Sequence, residues 1–137
     1  AAVEAMAAPW RHERLGAIAA VEARGFLFAA PMAVALGVGV IPVRKPGKLP
    51  ADTISHAYDL EYGSDRLEMH RGMLAADARV LVVDDVLATG GTAGACMRLV
   101  EAAGATVAGT SFLVELSFLG GRERLAPHRV ETVLTYA

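Results

Sequence analysis

The sequence predicts an α/β protein with a mostly parallel central sheet that is flanked by helices on both faces. Short apolar stretches of strand length alternate along the chain with longer stretches of helical character. Residues 80–83, Val-Leu-Val-Val, form an unbroken β-branched and aliphatic run, which is typical of a strand covered on both faces. Alternating strands and helices are joined by crossovers, and crossovers produce parallel pairing.

Length and composition limit the possible functions. The 137 residues are enough for one domain with a sizeable core. The net charge of -2 provides no field that would attract nucleic acid or an anionic membrane, and no apolar run reaches the roughly 18 residues of a membrane span. The single cysteine, Cys96, excludes an internal disulfide and fits a reducing compartment. We therefore expect a cytoplasmic protein that binds neither nucleic acid nor membrane.

The first half of the chain contains two predicted strand–helix units. An alanine-rich helix over residues 1–10, interrupted near Pro9, precedes a strand over 15–21. A turn over 22–25 leads into an apolar helix over 26–36, which Gly37 ends, and a second buried strand follows over 38–43. A polar segment with Pro and Gly then runs to residue 56.

The second half continues the pattern after a predicted β-hairpin. Two short strands, 58–62 and 66–70, are joined by Gly63-Ser64-Asp65. The central strand over 80–83 is closed by Asp84 and Asp85. The remaining predicted elements are a helix over 93–103, a strand over 106–114, a short helix over 121–125 and a final strand over 131–136.

The segment 79–92 is the strongest candidate site. Its two carboxylates, Asp84 and Asp85, precede a loop of small residues that opens a helix, where backbone N–H groups form an anion site. The loop lacks the Gly-Lys-Ser/Thr of a Walker motif and the spacing of the dinucleotide fingerprint. It therefore suits one terminal phosphate, with the carboxylates accepting hydrogen bonds from sugar hydroxyls. The alternative is a solvent-facing acidic turn before a helix capped by Thr92. Adjacent carboxylates repel each other and rarely end a buried strand without a function, which argues against this alternative.

Residues 80–92 also resemble the phosphoribosyl-pyrophosphate motif of the type I phosphoribosyltransferases. Three further stretches resemble the adenine branch of that family: residues 22–28 (Glu-Ala-Arg-Gly-Phe-Leu-Phe), residues 43–50 (Val-Arg-Lys-Pro-Gly-Lys-Leu-Pro), and residues 58–63 together with 67–70. The resemblance extends from about residue 15 to residue 127, with the motifs in the same order.

The resemblance implies the type I phosphoribosyltransferase fold, with the hairpin as a lid over the active site. It implies transfer of the 5-phosphoribosyl group from phosphoribosyl pyrophosphate to adenine, which yields AMP and pyrophosphate in purine salvage. Mg²⁺ would be carried by the sugar pyrophosphate near Asp84 and Asp85 rather than by a dedicated protein site, and the usual assembly is a homodimer.

The resemblance also assigns roles to individual residues. The ribose hydroxyls would be bound by Asp84 and Asp85, and the 5′-phosphate by Ala88, Thr89, Gly90, Gly91 and Thr92. Pyrophosphate would be bound by Arg24, Arg44, Lys45 and Lys48. Catalysis would fall to Glu61 and Tyr62, and an apolar contact to the purine would come from Leu116.

Each assignment has a simpler alternative in the residues themselves. Arg24 could form a surface ion pair with Glu22, and the cations of residues 44–48 could be a solvated face. Without the resemblance, Glu61 is an exposed strand residue, and Leu116 could be a core residue.

The domain content of the chain and its functional class are the last two expectations from the sequence. Residues 1–137 are expected to form a single domain without the N-terminal hood that family members place over the adenine. The alternatives to an adenine transferase are a non-catalytic domain that binds phosphoribosyl pyrophosphate or a nucleotide to regulate another process, and a transferase for another nucleobase. A lid that carries Glu61 argues against the regulatory domain, since a sensor needs no catalytic lid. The Leu-Glu-Tyr-Gly sequence at 60–63 argues for adenine, because transferases for other bases need a different base-recognition loop.

Overall fold

A computed structural model describes residues 1–45, 53–60, 63–70, 72 and 74–137. Its helices are α1 (Ala2–Ala7), α2 (Arg24–Leu36), α3 (Gly91–Ala102) and α4 (Gly121–Leu125), with 3₁₀ turns at Ala8–Trp10 and Ser117–Leu119. Its strands are β1 (Ala17–Val21), β2 (Gly39–Val43), β3 (Thr53–Leu60), β4 (Gly63–His70), β5 (Arg79–Leu87), β6 (Thr106–Leu116) and β7 (Val130–Tyr136).

Five strands form a parallel sheet in the order β2-β1-β5-β6-β7. The predicted α/β class and the mostly parallel sheet are confirmed. β5 is the central strand, so its neighbours β1 and β6 pair with it on both sides. Because all five strands point the same way, their carboxyl ends share one edge, where ligands bind in open α/β sheets.

Helices cover both faces of the sheet, and successive residues of β5 are buried alternately on one face and on the other. Leu81 and Val83 belong to the apolar cluster formed with α1 and α2, whereas Val80 and Val82 belong to the cluster formed with α3. All four side chains are 0% exposed. This double burial explains why residues 80–83 of the strand are all apolar.

The hairpin of β3 and β4 is a separate two-stranded antiparallel sheet. Leu67 and Met69 on β4 are fully buried in the cluster that contains α3. Arg44, just after β2, exchanges backbone hydrogen bonds with Glu68, with N···O distances of 2.9 and 2.7 Å. The hairpin is thereby attached to the end of β2.

Two predicted boundaries at the functional edge were wrong. Leu60 pairs with Gly63, and Tyr58 with Asp65, so Gly63-Ser64-Asp65 belongs to β4 rather than to a turn. Asp84 and Asp85 do not close β5, because the pairing with β6 continues through Val86–Val114 and Leu87–Glu115. A longer partner strand than predicted therefore keeps the carboxylates within the sheet.

The N-terminal segment packs against β6 through Trp10. As predicted, the helix breaks at Pro9: α1 ends at Ala7 and a 3₁₀ turn follows. The Trp10 ring is 1% exposed, and the Arg129 guanidinium lies 4.3 Å from its centroid. A Cβ atom at Gly109 would lie 2.4 Å from Cη2 of Trp10 and 2.9 Å from the Arg129 carbonyl oxygen. The indole therefore occupies space that only a glycine in β6 leaves open.

We expect Gly109→Ala to lower the free energy of unfolding by about 1–3 kcal/mol, because the methyl group overpacks this contact. Urea unfolding monitored by tryptophan fluorescence and circular dichroism measures the change. Gly39→Ala is the matched control, since Gly39 is also a strand glycine and a Cβ there meets nothing within 4 Å. Equal stabilities of the two variants would contradict the proposed Trp10 packing.

Candidate active site

A cleft of about 260 Å³ opens at the carboxyl edge of the sheet, between the end of β5 and the start of α3. Its lining brings together Arg24, both adjacent carboxylates and the whole small-residue loop that the sequence singled out. The lining residues are Arg24, Asp84, Asp85, Val86, Leu87, Ala88, Thr89, Gly90, Gly91, Thr92, Ala93 and Phe112.

The loop between β5 and α3 presents backbone donors to this cleft. Gly90 precedes α3 with φ 86, a left-handed conformation that favours glycine. The Gly91 N–H donates to the Thr89 hydroxyl over 3.4 Å, whereas no side chain caps α3. The first N–H groups of a helix have no acceptor within the helix, so those of α3 can bind an anion. The alternative of a helix capped by Thr92 was wrong, because Gly90 is the N-cap and Thr92 lines the cleft.

The two carboxylates are held in different environments. Asp84 accepts the Asp85 N–H at 2.8 Å, and Asp85 accepts the Val86 N–H at 2.9 Å. Burial, followed by the adjacent Asp85, raises the pKa of Asp84 to about 7. A Cβ atom at Gly25 would lie 3.1 Å from Oδ1 of Asp84. The glycine thus permits the first turn of α2 to approach the carboxylate.

Arg24 faces the carboxylates rather than Glu22. Its Nε atom lies 3.0 Å from Oδ2 of Asp85, and its side chain is 78% exposed. Glu22 instead binds Arg44, with 3.0 Å between Nη2 and Oε2, and accepts the Lys45 backbone N–H at 2.7 Å. The alternative of an Arg24–Glu22 pair was wrong, and Arg24 is available at the cleft.

The structure does not place the other predicted pyrophosphate ligands in the lining of the cleft. Neither Arg44 nor Lys45 is among the residues that line it. Lys48, Glu61 and Tyr62 lie outside the described residues. Their roles stay predictions.

Phe112 is a site residue that sequence reasoning missed. It lies on β6 opposite Asp84, is 1% exposed, and contributes to the cleft wall. Leu116, the predicted base contact, is at the end of β6 opposite Tyr136 and is not among the described residues of the cleft lining. Its role is also still a prediction. Phe112 reaches the site because the pairing register of β6 places it opposite Asp84. The apolar sequence of β6 does not reveal that register.

The donor set suits a metal that arrives with its substrate. Within the described ranges, no group of three or more His, Cys, Asp and Glu side chains could hold a metal ion. Mg²⁺ usually binds through one or two carboxylates together with substrate phosphates, which fits Asp84 and Asp85. Cys96 is fully buried, and burial followed by the nearby Asp84 raises its pKa to about 12, so its thiol is a packed core group.

Comparisons with known proteins agree with this geometry. Residues 7–131 match the family model described as a phosphoribosyl transferase domain. An adenine phosphoribosyltransferase from Roseiflexus sp. (strain RS-1) is 54% identical over 134 residues, which cover 98% of this chain and 78% of that protein. The chain belongs to the adenine phosphoribosyltransferases.

Solved adenine phosphoribosyltransferases share the fold. The crystal structure of the enzyme from Thermoanaerobacter pseudethanolicus ATCC 33223 aligns with a TM-score of 0.96 and 49% identity, covering 98% of this chain and 78% of that one. The Saccharomyces cerevisiae enzyme, solved with an imino-altritol bisphosphate and adenine, aligns with a TM-score of 0.89 and 40% identity, covering 96% of this chain and 77% of that one.

None of the helices in the described part of the chain has the length and apolarity to span a membrane.

The raised pKa of Asp84 predicts a specific pH dependence of stability. The carboxyl group titrates near 3.8 in the unfolded chain and near 7 in the fold, so the folded state binds more protons between these values. Stability gained from Asp84 is therefore present below about pH 4 and is lost as the pH rises through about 7. In urea unfolding, the stability of the wild type relative to Asp84→Asn should fall across this window by at most about 1.4 kcal/mol per pH unit. A difference that stays constant from pH 4 to 8 would contradict the buried carboxyl.

Proposed function

We propose that this chain transfers the 5-phosphoribosyl group of phosphoribosyl pyrophosphate to N9 of adenine. The bond between C1′ and the pyrophosphate oxygen breaks, the bond between C1′ and N9 forms, and adenine loses one proton. The products are AMP and pyrophosphate. The observation that carries this proposal is the single cleft in which two adjacent carboxylates, a small-residue loop at a helix start and an exposed arginine meet.

The loop of residues 88–92 binds the 5′-phosphate. Several N–H groups of the loop and of the first turn of α3 can donate to one phosphate, and the Thr89 and Thr92 hydroxyls line the same cleft. The loop has no lysine. Binding therefore depends on the positions of backbone dipoles, which the fold must hold in place.

Asp84 and Asp85 accept hydrogen bonds from the ribose hydroxyls. They follow the buried part of β5, four and three residues, respectively, before the loop begins at Ala88. A sugar phosphate anchored in the loop thus places its ring beside them. Burial raises the pKa of Asp84 to about 7 because the carboxylate loses hydration. Ribose hydroxyls that donate hydrogen bonds to this carboxylate replace the lost hydration and so favour its ionised form.

Arg24 neutralises charge on the departing pyrophosphate. The transition state resembles an oxocarbenium ion, so the negative charge that accumulates on the leaving group must be stabilised. The 78% exposure of the Arg24 side chain allows it to turn from Asp85 towards a ligand in the cleft. Lys45 and Lys48 supply further positive charge in this proposal.

Mg²⁺, held by the sugar pyrophosphate beside Asp84 and Asp85, would supply additional electrostatic stabilisation of the leaving group.

Leu116 makes an apolar contact to the purine in this proposal. It shares β6 with Phe112, which already forms one wall of the cleft.

The hairpin closes over the reacting groups in the proposed mechanism. β3 ends at Leu60 and β4 begins at Gly63, and Glu61 and Tyr62 stand between these two residues in the sequence. The carboxyl group of Glu61 serves as general acid or base towards N7 of the purine. Closure excludes water and suppresses hydrolysis of the activated sugar.

Assembly, location and extent belong to the same proposal. We propose a cytoplasmic homodimer in which residues 1–137 form one phosphoribosyltransferase domain. Leu27 and Val34, seven residues apart on α2, are 70% and 84% exposed and supply apolar surface for a partner copy. Sedimentation equilibrium measures the assembly directly.

The base preference is the first test of the function. Pyrophosphate release should depend on adenine, and guanine and hypoxanthine should support little or none, as measured with a coupled assay at saturating phosphoribosyl pyrophosphate and Mg²⁺. Release with guanine or hypoxanthine instead would favour the transferase for another nucleobase. Tight ligand binding in calorimetry without turnover of any base would favour the regulatory domain.

Glu61→Gln should lower kcat by about 10²–10⁴-fold, the usual contribution of general acid–base catalysis, with little change in the affinity for phosphoribosyl pyrophosphate. Steady-state kinetics and calorimetry separate the two effects. Glu68→Gln is the matched control, because Glu68 lies on β4 of the same hairpin and has no role in the proposed chemistry. Unchanged turnover of Glu61→Gln would remove this residue from the mechanism.

A further inference from the structure

Gly121, the first residue of α4, lies directly behind the phosphate loop. A Cβ atom at this position would lie 2.5 Å from the Ala88 carbonyl oxygen and 2.7 Å from Cδ1 of Leu87. In the other direction, a Cβ atom at Gly90 would lie 3.1 Å from the Gly121 carbonyl oxygen. The start of α4 and the loop are thus in backbone contact from both sides.

The requirement for glycine at position 121 is one of space alone. Gly120 before it has φ 72 and Gly90 has φ 86, so substitution at either would also strain the backbone. Gly121 is not among the residues with positive φ, and another residue could adopt its conformation. A methyl group there tests the contact without changing the preferred backbone geometry.

An ion pair holds α4 in this position. Nη2 and Nε of Arg122 donate to the two carboxylate oxygens of Glu115 over 2.8 and 3.2 Å, and Nη1 donates to the Val130 carbonyl oxygen over 2.9 Å. Glu115 on β6 is 5% exposed, and the Arg122 hydrogen bonds lower its pKa. The residue next to Gly121 is therefore fixed to two strands of the central sheet.

We propose that Gly121, held by the Arg122–Glu115 pair, is a positioning residue for the 5′-phosphate of the substrate. This inference rests on the proposed function of the loop. The peptide bond keeps the Ala88 carbonyl and the Thr89 N–H in one plane. Any displacement of that carbonyl by α4 therefore turns the Thr89 N–H, which belongs to the phosphate cradle, away from its ligand.

Gly121→Ala should weaken the binding of ribose 5-phosphate by about 10-fold, the scale of one lost hydrogen bond to a charged group. Isothermal titration calorimetry with ribose 5-phosphate measures this affinity. The KM for phosphoribosyl pyrophosphate should rise by a similar factor, with the KM for adenine and kcat at saturation changing much less. A purely structural defect would instead reduce the fraction of active protein and leave both KM values unchanged.

Gly94→Ala is the matched control. Gly94 lies on α3 close to the loop, but a Cβ atom there meets Arg98 at 3.7 Å and Leu125 at 3.9 Å, which are ordinary contact distances. We expect it to bind ribose 5-phosphate as the wild type does. Wild-type affinity in Gly121→Ala would overturn the positioning role. Failure of the wild type itself to bind ribose 5-phosphate would overturn the proposed function of the loop together with this inference.

Glu115→Gln keeps the inference testable if Gly121→Ala does not fold. The amide preserves the shape of the side chain but removes the charge that fixes Arg122 and α4. Weaker ribose 5-phosphate binding in a variant with wild-type circular dichroism would support the positioning role. Unchanged binding would overturn it.

Discussion

Close backbone packing around the end of β5 is the constraint on which the site depends. Gly25 on α2 leaves 3.1 Å between its missing Cβ and the Asp84 carboxylate, and Gly121 on α4 leaves 2.5 Å to the Ala88 carbonyl. One helix thereby approaches the Asp84 carboxylate, while another contacts the loop between β5 and α3. A loop that binds phosphate through backbone dipoles can be selective only if its peptide planes do not turn, and these contacts restrict them.

The same packing leaves the charges of the two adjacent carboxylates incompletely neutralised. Enclosing the end of β5 removes Asp84 from water and raises its pKa to about 7, while Asp85 is kept beside Arg24 at 3.0 Å. The free site is therefore a pair of carboxylates that is only partly compensated. In the proposed function, substrate hydroxyls and a substrate-bound cation supply the missing partners, which offsets the cost of burying the pair.

Motifs built from contiguous residues could be predicted from the sequence, because their chemistry is local. The acidic pair, the small-residue loop and the start of α3 follow one another within 79–92, and the structure brings them into one cleft. Phe112 and Gly121 could not be predicted in the same way. Their importance comes from the pairing of β6 with β5 and from the path of the chain into α4. The length of β5 was also underestimated, since only its partner strand shows that pairing continues to Leu87.

By itself, the sequence determined the α/β class, the order of the elements and the segment that lines most of the cleft, because periodicity and local motifs depend on neighbours along the chain. The tertiary structure decided which cation meets which carboxylate. Arg24 binds Asp85, and Glu22 binds Arg44 across 22 residues of chain. It also decided that the start of α4, far along the chain, contacts the loop at Ala88, since such contacts depend on how strands pair and helices pack rather than on sequence spacing.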